Sequence, residues 1–176
     1  MISQQLIISG VGGQGILFIT RLLADLAISQ GLSVLTSETH GMAQRGGIVI
    51  SHLKIGLFSS PLVRPGQADG LISLKGETVP LHRHFLKPGG WVVANDLKAQ
   101  LAEAGHPVAT VDADGAALFL GNPQSLNLIV LGRALAEPGL LFCSLPQVEA
   151  FVQAKLAAKP KLLEGALAAL FCGFNG

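Results

Sequence analysis

The amino-acid sequence predicts an α/β fold. It reads as a single Rossmann-like domain over residues 1–176, with a mainly parallel sheet, helices on both faces and a helical C-terminal third. Three observations predict it. The apolar run at residues 4–9 ends at glycine, as a buried parallel strand does. The turn Gly10-Val11-Gly12-Gly13-Gln14-Gly15 leads from that run straight into an apolar helical pattern. Further strand-like runs alternate with turns up to residue 111, and from there on the pattern is helical.

The helix predicted over Ile16 to Gln30 has Arg21, Asp25 and Ser29 at every fourth position, one solvent stripe on an otherwise apolar cylinder. Gly31 is placed to cap it. A second strand is expected over Leu32–Ser37, then a glycine-rich polar loop from Thr39 to Gly47. Ile48–Ile55 alternates weakly and ends at Gly56, which suits one arm of an antiparallel pair. After the loop marked by Pro61, Pro65 and Gly66, a strand is expected over Gly70–Leu74 and a short helix over Glu77–Phe85 with Pro80 in its first turn. Pro88-Gly89-Gly90 reads as a turn, and Trp91–Asn95 and Pro107–Val111 as strands. Helices are expected over Asp112–Leu120, Ser125–Ala136, Leu145–Ala157 and Lys161–Phe174, the later ones separated by Pro138-Gly139 and Lys159-Pro160.

Composition narrows the function. Hydrophobic residues make up 49% and charged residues 13%, against about 25% charged in an ordinary soluble domain. A membrane or a large partner interface should cover that apolar excess. Glycines 10, 12, 13 and 15 interrupt the first uncharged stretch, Asn122, Pro123, Gln124, Ser125 and Asn127 interrupt the second, and no basic segment precedes the first. The expectation is therefore a soluble, cytoplasmic chain, with no membrane span, buried against other subunits. A net charge of +1, no tyrosine and one tryptophan argue against nucleic acid. Cys143 and Cys172 are too few for an iron–sulfur cluster, which normally takes about four cysteines. Both read as small buried hydrophobes, and no metal-ligating set is expected.

Gly10, Gly12 and Gly15 fit G-x-G-x-x-G in the strand–turn–helix context of a dinucleotide fingerprint, and Glu38 stands where a ribose-binding acid would lie. Three readings stay open: a dinucleotide site, with a free-standing NAD(P)-dependent oxidoreductase as the alternative function; a purely structural tight turn; or a site for another anion, such as a phosphate or a coenzyme pyrophosphate. A second constellation, His40-Gly41-Met42-Ala43-Gln44-Arg45-Gly46-Gly47, puts an imidazole and a guanidinium among glycines. Arg45 has the fork geometry for phosphate or carboxylate, and Gly46-Gly47 lets backbone come close to a ligand or a neighbouring subunit. A glycine hinge with a surface arginine is the plainer reading.

The two segments, Gly10 through Ile16 and Thr36 through Gly47, resemble the gamma-type subunit of 2-oxoacid:ferredoxin oxidoreductases. The Met42-Ala43-Gln44-Arg45-Gly46-Gly47 form is most similar to the small (beta) subunit of the indolepyruvate branch. Ala68-Asp69-Gly70-Leu71-Ile72, Pro88-Gly89-Gly90 and Asn127 through Gly132 extend the similarity over essentially the whole chain, and Glu164 departs from the pattern of the last helix. The resemblance implies an accessory subunit, inactive alone, of an enzyme that decarboxylates a 2-oxoacid (indolepyruvate-like or another) with coenzyme A and reduces ferredoxin. Thiamine diphosphate and iron–sulfur clusters would be held by partner subunits. It also makes Gly10, Gly12, Gly13, Gln14, Gly15, His40, Arg45, Gly46 and Gly47 the candidates for coenzyme A, phosphate or subunit contact, with no confident catalytic residue. A homodimer of the isolated chain is compatible with it.

His52, His82, His84 and His106 show no metal spacing and are expected in surface or helix-end roles, with His40 set apart by its loop. Asp112 and Asp114 are expected to cap the helix they precede.

Overall fold

A computed structural model describes residues 2–40, 46–96 and 105–176. Six strands form one sheet: β1 Gln4–Val11, β2 Val34–His40, β3 Ile48–Ile55, β4 Ala68–Ser73, β5 Leu86–Asn95 and β6 Val108–Val111. Six helices accompany them: α1 Ile16–Ser29, α2 Val79–His82, α3 Ala113–Phe119, α4 Leu126–Ala136, α5 Leu145–Leu156 and α6 Pro160–Asn175. The expected α/β class holds. The spatial order is β2-β3-β1-β4-β5-β6. β1, β4, β5 and β6 run parallel, whereas β3 lies antiparallel between β1 and β2. The sheet is thus mixed, with β3 alone reversed.

Strand alternation sorts the core into two layers. Leu6 and Ile8 of β1, Leu53 and Ile55 of β3, Ile72 of β4, and Trp91 and Val93 of β5 face α1 and α3 to α6. Ile7, Leu71, Val92 and Ala94 face the other way, against Val63, Val79 and Leu86. Among the described residues the helices on the two faces are unequal: five cover the first, and α2, between single 3-10 turns at Gly76–Thr78 and Arg83–Phe85, covers the second. The connection from β1 to β2 leaves across one side of the sheet over α1, and that from β4 to β5 leaves across the other side over α2. Crossovers of one hand going opposite ways fall on opposite faces. Their divergence opens a switch-point crevice at the carboxyl ends of β1 and β4, where such sheets bind ligands.

Several local expectations hold for physical reasons. Gly31 has φ 77°, the left-handed geometry that ends α1. The Asp112 side chain accepts from Gly115 N at 2.9 Å and caps α3. Asp114 does not cap; it accepts from Asn95 Nδ2 at 2.9 Å. β5 starts earlier than predicted: Ala68 pairs with Leu86 and Gly70 with Trp91, so Pro88-Gly89-Gly90 makes its turn inside an irregularity of the strand. Thr39 and His40, expected in a loop, end β2 against Ile50 and Val49.

α4 and α6 cross at near backbone contact. A Cβ on Gly132 would strike the Leu170 carbonyl, and one on Gly173 would strike the Ile129 carbonyl. The two glycines face each other's helix, so this crossing tolerates no side chain on either. Gly173→Ala should therefore destabilise the fold by about 1–3 kcal/mol, as overpacking does. Gly165→Ala, whose methyl would meet only the movable Asn122 amide at 3.4 Å, should cost nothing measurable. Urea unfolding of the two variants checks the contrast.

Candidate functional site

The glycine turn stands at the mouth of the switch-point crevice, and the geometry gives each of its residues a distinct task. Gly15 is the N-cap of α1 with φ 84° and contributes no side-chain cap. No acidic residue occupies the first turn. The opening N–H groups of a helix lack internal acceptors, and the macrodipole adds positive potential there. Gly13, φ 95°, is exposed with open space where a Cβ would project. Backbone donors at an open, glycine-lined helix start suit a phosphate-type anion.

Gln14 acts inward. Its Oε1 accepts from Val11 N at 2.9 Å, and its Nε2 donates to the Leu74 carbonyl at 3.0 Å. The side chain therefore brackets the turn to the end of β4, and the Gln14 N–H closes the turn on the Val11 carbonyl at 3.2 Å. Gly10 is small for this reason: a Cβ there would sit 2.6 Å from Gln14 Oε1. Asn95 completes the crevice floor. Its Nδ2 also reaches the Leu74 carbonyl, at 3.1 Å, and its Oδ1 accepts from Ala113 N at 2.9 Å.

The two glycine segments meet. Gly12 N donates to Gly47 O at 2.8 Å, and a Cβ on Gly12 would lie 3.5 Å from Gly46 N. Gly46, φ 94°, is exposed beside this contact. His40 ends β2, and Arg45 lies outside the described residues, as do positions 41–44. Asn127, named from the sequence as a break in an uncharged stretch and as part of the family likeness, packs its amide directly over Gly15, where a Cβ would collide with it. Its Oδ1 accepts from Leu128 N at 2.7 Å. A buried asparagine opening an apolar helix was the available signal.

Glu38 does not join this site. It pairs across from Ser51, which pairs across from Ile8. That puts Glu38 two strand spacings from β1, roughly 10 Å away. It lines instead a groove of about 560 Å³ between α1 and β2, together with Arg21, Asp25 and Thr36.

The histidines divide differently from expectation. His84 is exposed, and His106 meets the Gly90 carbonyl through Nδ1 at 3.0 Å. His82 ends α2, as a helix-end residue should, but is buried with its Nδ1 unpartnered. His52 overturns the surface reading: it is buried on β3, and its Nδ1 accepts from Val63 N at 3.2 Å. The alternation of β3 turns it into the second face, against the 56–67 loop. Burial, followed by the nearby Lys54 ammonium, lowers the His52 pKa. Burial, then His84 and His52, lower that of His82, and the Thr78 carbonyl only partly offsets this. Cys143 is a buried free thiol whose pKa burial pushes up to about 12, whereas Cys172 is only half-buried. Neither cysteine belongs to a cluster of three or more metal-type ligands among the described residues.

Residues 5–176 match the family described as pyruvate ferredoxin/flavodoxin oxidoreductase. The indolepyruvate oxidoreductase subunit IorB of Archaeoglobus fulgidus is 30% identical, over 97% of this chain and 93% of the relative. The gamma subunit of a keto/oxoacid ferredoxin oxidoreductase from Geobacter sulfurreducens superposes with TM-score 0.76 and 26% identity, over 98% of this chain and 96% of that one. A 2-oxoglutarate:ferredoxin oxidoreductase from Magnetococcus marinus superposes with TM-score 0.79 at 22% identity; this chain covers 30% of it, and the likeness is one of fold. No described helix is long and apolar enough to cross a membrane.

Two outcomes test the placements. Gln14→Ala leaves Val11 N without its side-chain acceptor, while the Leu74 carbonyl keeps its bond from Asn95, and should cost about 1–3 kcal/mol in urea unfolding. For His52 and His82 the folded pKa lies below the ordinary imidazole value of 6.5. The unfolded chain therefore binds their protons first as pH falls. Stability should be full above about pH 6.5 and decline below it, and Tm should fall roughly 2–4 °C for each kcal/mol lost in melts between pH 8 and 5. A Tm flat across that range would contradict the burial of both rings.

Proposed function

Because this chain belongs to the pyruvate ferredoxin/flavodoxin oxidoreductase family, we propose that it is the small, gamma-type subunit of an enzyme that oxidatively decarboxylates a 2-oxoacid, indolepyruvate-like or another keto acid, to an acyl-CoA. Electrons pass to ferredoxin. Thiamine diphosphate and iron–sulfur clusters in partner subunits supply the carbanion and electron-transfer chemistry. Two cysteines, one of them the buried Cys143 thiol held protonated, give this chain no cluster ligand set of its own. The isolated chain is therefore inactive.

One observation carries the site assignment: the Gly12 N to Gly47 O contact, which joins the fingerprint turn to the Gly46-Gly47 segment. In this reading the joined glycines, Gly10, Gly12, Gly13, Gly15, Gly46 and Gly47, meet coenzyme A phosphates or an adjoining subunit, and His40 and Arg45 are the candidates from the sequence to add charge to that contact. Gln14 holds the turn's shape from within. A dinucleotide site is the weaker alternative, because β3 displaces Glu38 from the strand beside β1, where a ribose-binding acid is needed.

Reconstitution with the thiamine diphosphate-binding large subunit tests the proposal. Ferredoxin reduction should require the 2-oxoacid, coenzyme A and both subunits, and the chain alone should give none. In the reconstituted enzyme Gly12→Val should raise KM for coenzyme A by about tenfold, which is about 1.4 kcal/mol of binding. Unchanged KM with lost assembly would assign the turn to subunit contact instead. Activity of the lone chain with NAD(P)H would overturn the whole reading.

A further inference from the structure

The second face of the sheet carries a charge pattern that the site described above leaves unexplained. Between His52 and Lys87 the sequence places Lys54, Arg64, Lys75, Arg83 and Lys87 against only Asp69 and Glu77, although the whole chain nets +1. Both carboxylates are already engaged: Asp69 pairs with Lys87, and Glu77 lies 3.6 Å from Lys75. Lys54, Arg64 and Arg83 pair with no carboxylate among the described residues. Arg64, Arg83 and His84 are exposed. The cations act on one another: after burial, Arg64 lowers the pKa of Lys54, and His84 lowers that of His82.

Exposed leucines stand among these cations. Leu57 is 77% exposed, Leu62 50% and Leu81 51%. A single exposed leucine is ordinary. These are joined into one surface by specific contacts. Lys54 Nζ sits 5.1 Å from the Phe58 ring centroid, next in chain to Leu57. Val63 N, next to Leu62, donates to His52, whose ring meets Phe85 edge-on at 5.4 Å. Gly66 N donates to the His84 carbonyl at 3.0 Å, and His84 Nδ1 lies 2.9 Å from the Leu81 carbonyl. The 56–67 loop and the α2 turn therefore make one continuous cap, apolar at points and cationic between them. Apolar anchors ringed by charge are the anatomy of a protein interface.

We infer that this cap is the docking surface for an acidic, apolar-centred surface of the larger partner subunit. The inference rests on the subunit role proposed above and names the face that role uses. Acidic chemistry follows from the exposed Arg64 and Arg83, which pair with no carboxylate among the described residues and have the buried Lys54 behind them; an opposing set of carboxylates would relieve their mutual repulsion. A protein surface fits better than anionic lipid, because Asp69 and Glu77, each beside its lysine, leave the cap as a pattern of paired and unpaired charge that a shaped surface can match and a uniform anionic layer cannot. The five longer helices remain on the opposite face.

The test is the affinity of the full chain for the purified thiamine diphosphate-binding large subunit, at low and high NaCl. Variants are Arg64→Glu with Arg83→Glu, and Leu57→Ser with Leu62→Ser. A control alters Phe18 and Leu118, 48% and 68% exposed elsewhere on the chain, to serine. Melting curves check that each variant is folded. Both cap variants should weaken binding by about tenfold or more. The arginine pair should also abolish the salt dependence that wild type shows, and the control should bind as wild type. Cap variants that bind like wild type overturn the inference while the subunit role stands. Cap variants that instead lose self-association by light scattering, or lose binding to phosphatidylserine vesicles, overturn it in favour of a second copy or a lipid surface. A wild-type chain that does not bind the large subunit at all overturns the subunit role and this inference together.

Discussion

Antiparallel β3, wedged between β1 and β2, is the constraint on which the rest of the site depends. Its register runs unbroken from Gln4 opposite Ile55 to Val11 opposite Ile48. The last pair places Gly47, just before Ile48, within reach of Gly12 N. A slip of one residue would turn Leu53 and Ile55 away from α1 and bring His52 and Lys54 into the main core, so the burial pattern holds the register in place. The same wedge pushes β2 to the sheet edge and carries Glu38 away from the glycine turn. A fingerprint that looks dinucleotide-like along the chain thereby loses, in space, the acid that would make it one.

Around that wedge the interior polar groups close on each other. Ser9, Ser73 and Thr78 hydroxyls form a chain at 2.9 and 3.0 Å. The Gln14 and Asn95 amides share the Leu74 carbonyl, and the Gln4 amide joins β1 to the α4–α5 connection through Leu140 O and Phe142 N, at 2.6 and 3.0 Å. Each bond satisfies groups that burial would otherwise penalise. The Gln14 and Asn95 bonds fix the floor beneath the glycine turn, and the Gln4 bonds fix the opposite end of β1.

Most of the fold was legible because it is written locally. The apolar run before Gly10, the four-residue polar stripe of α1, Gly31 as cap and Asp112 as N-cap are short-range signals, and each holds. The antiparallel arm at Ile48–Ile55 was also legible in its weak alternation. Its insertion beside β1 was not, because strand order is decided by pairing across long sequence separations. For the same reason His52 read as a surface residue: nothing near it in the chain reveals that its side of β3 meets the 56–67 loop. Gln14 read as part of a ligand motif, whereas its side chain is fixed by β4, sixty positions away. Glycines gave the same mixed result. Gly132 and Gly173 are required by a helix crossing that no local pattern announces.

This division bears on the proposed role. A subunit that carried the chemistry would be expected to aim acid–base side chains into its crevice. Here the described side chains nearest the turn, Gln14, Asn95 and Asn127, are neutral amides already bonded within the fold. What remains outward is backbone N–H at the start of α1 and glycine surface at Gly13 and Gly46. Such a surface can bind and orient an anion or accept a close-packed neighbour. The low charge of the chain points the same way, since an apolar subunit is covered by its partners. The glycines of the turn are needed so that Gln14, Asn127 and Gly47 can approach, and the proposed role would use the same side-chain-free edge.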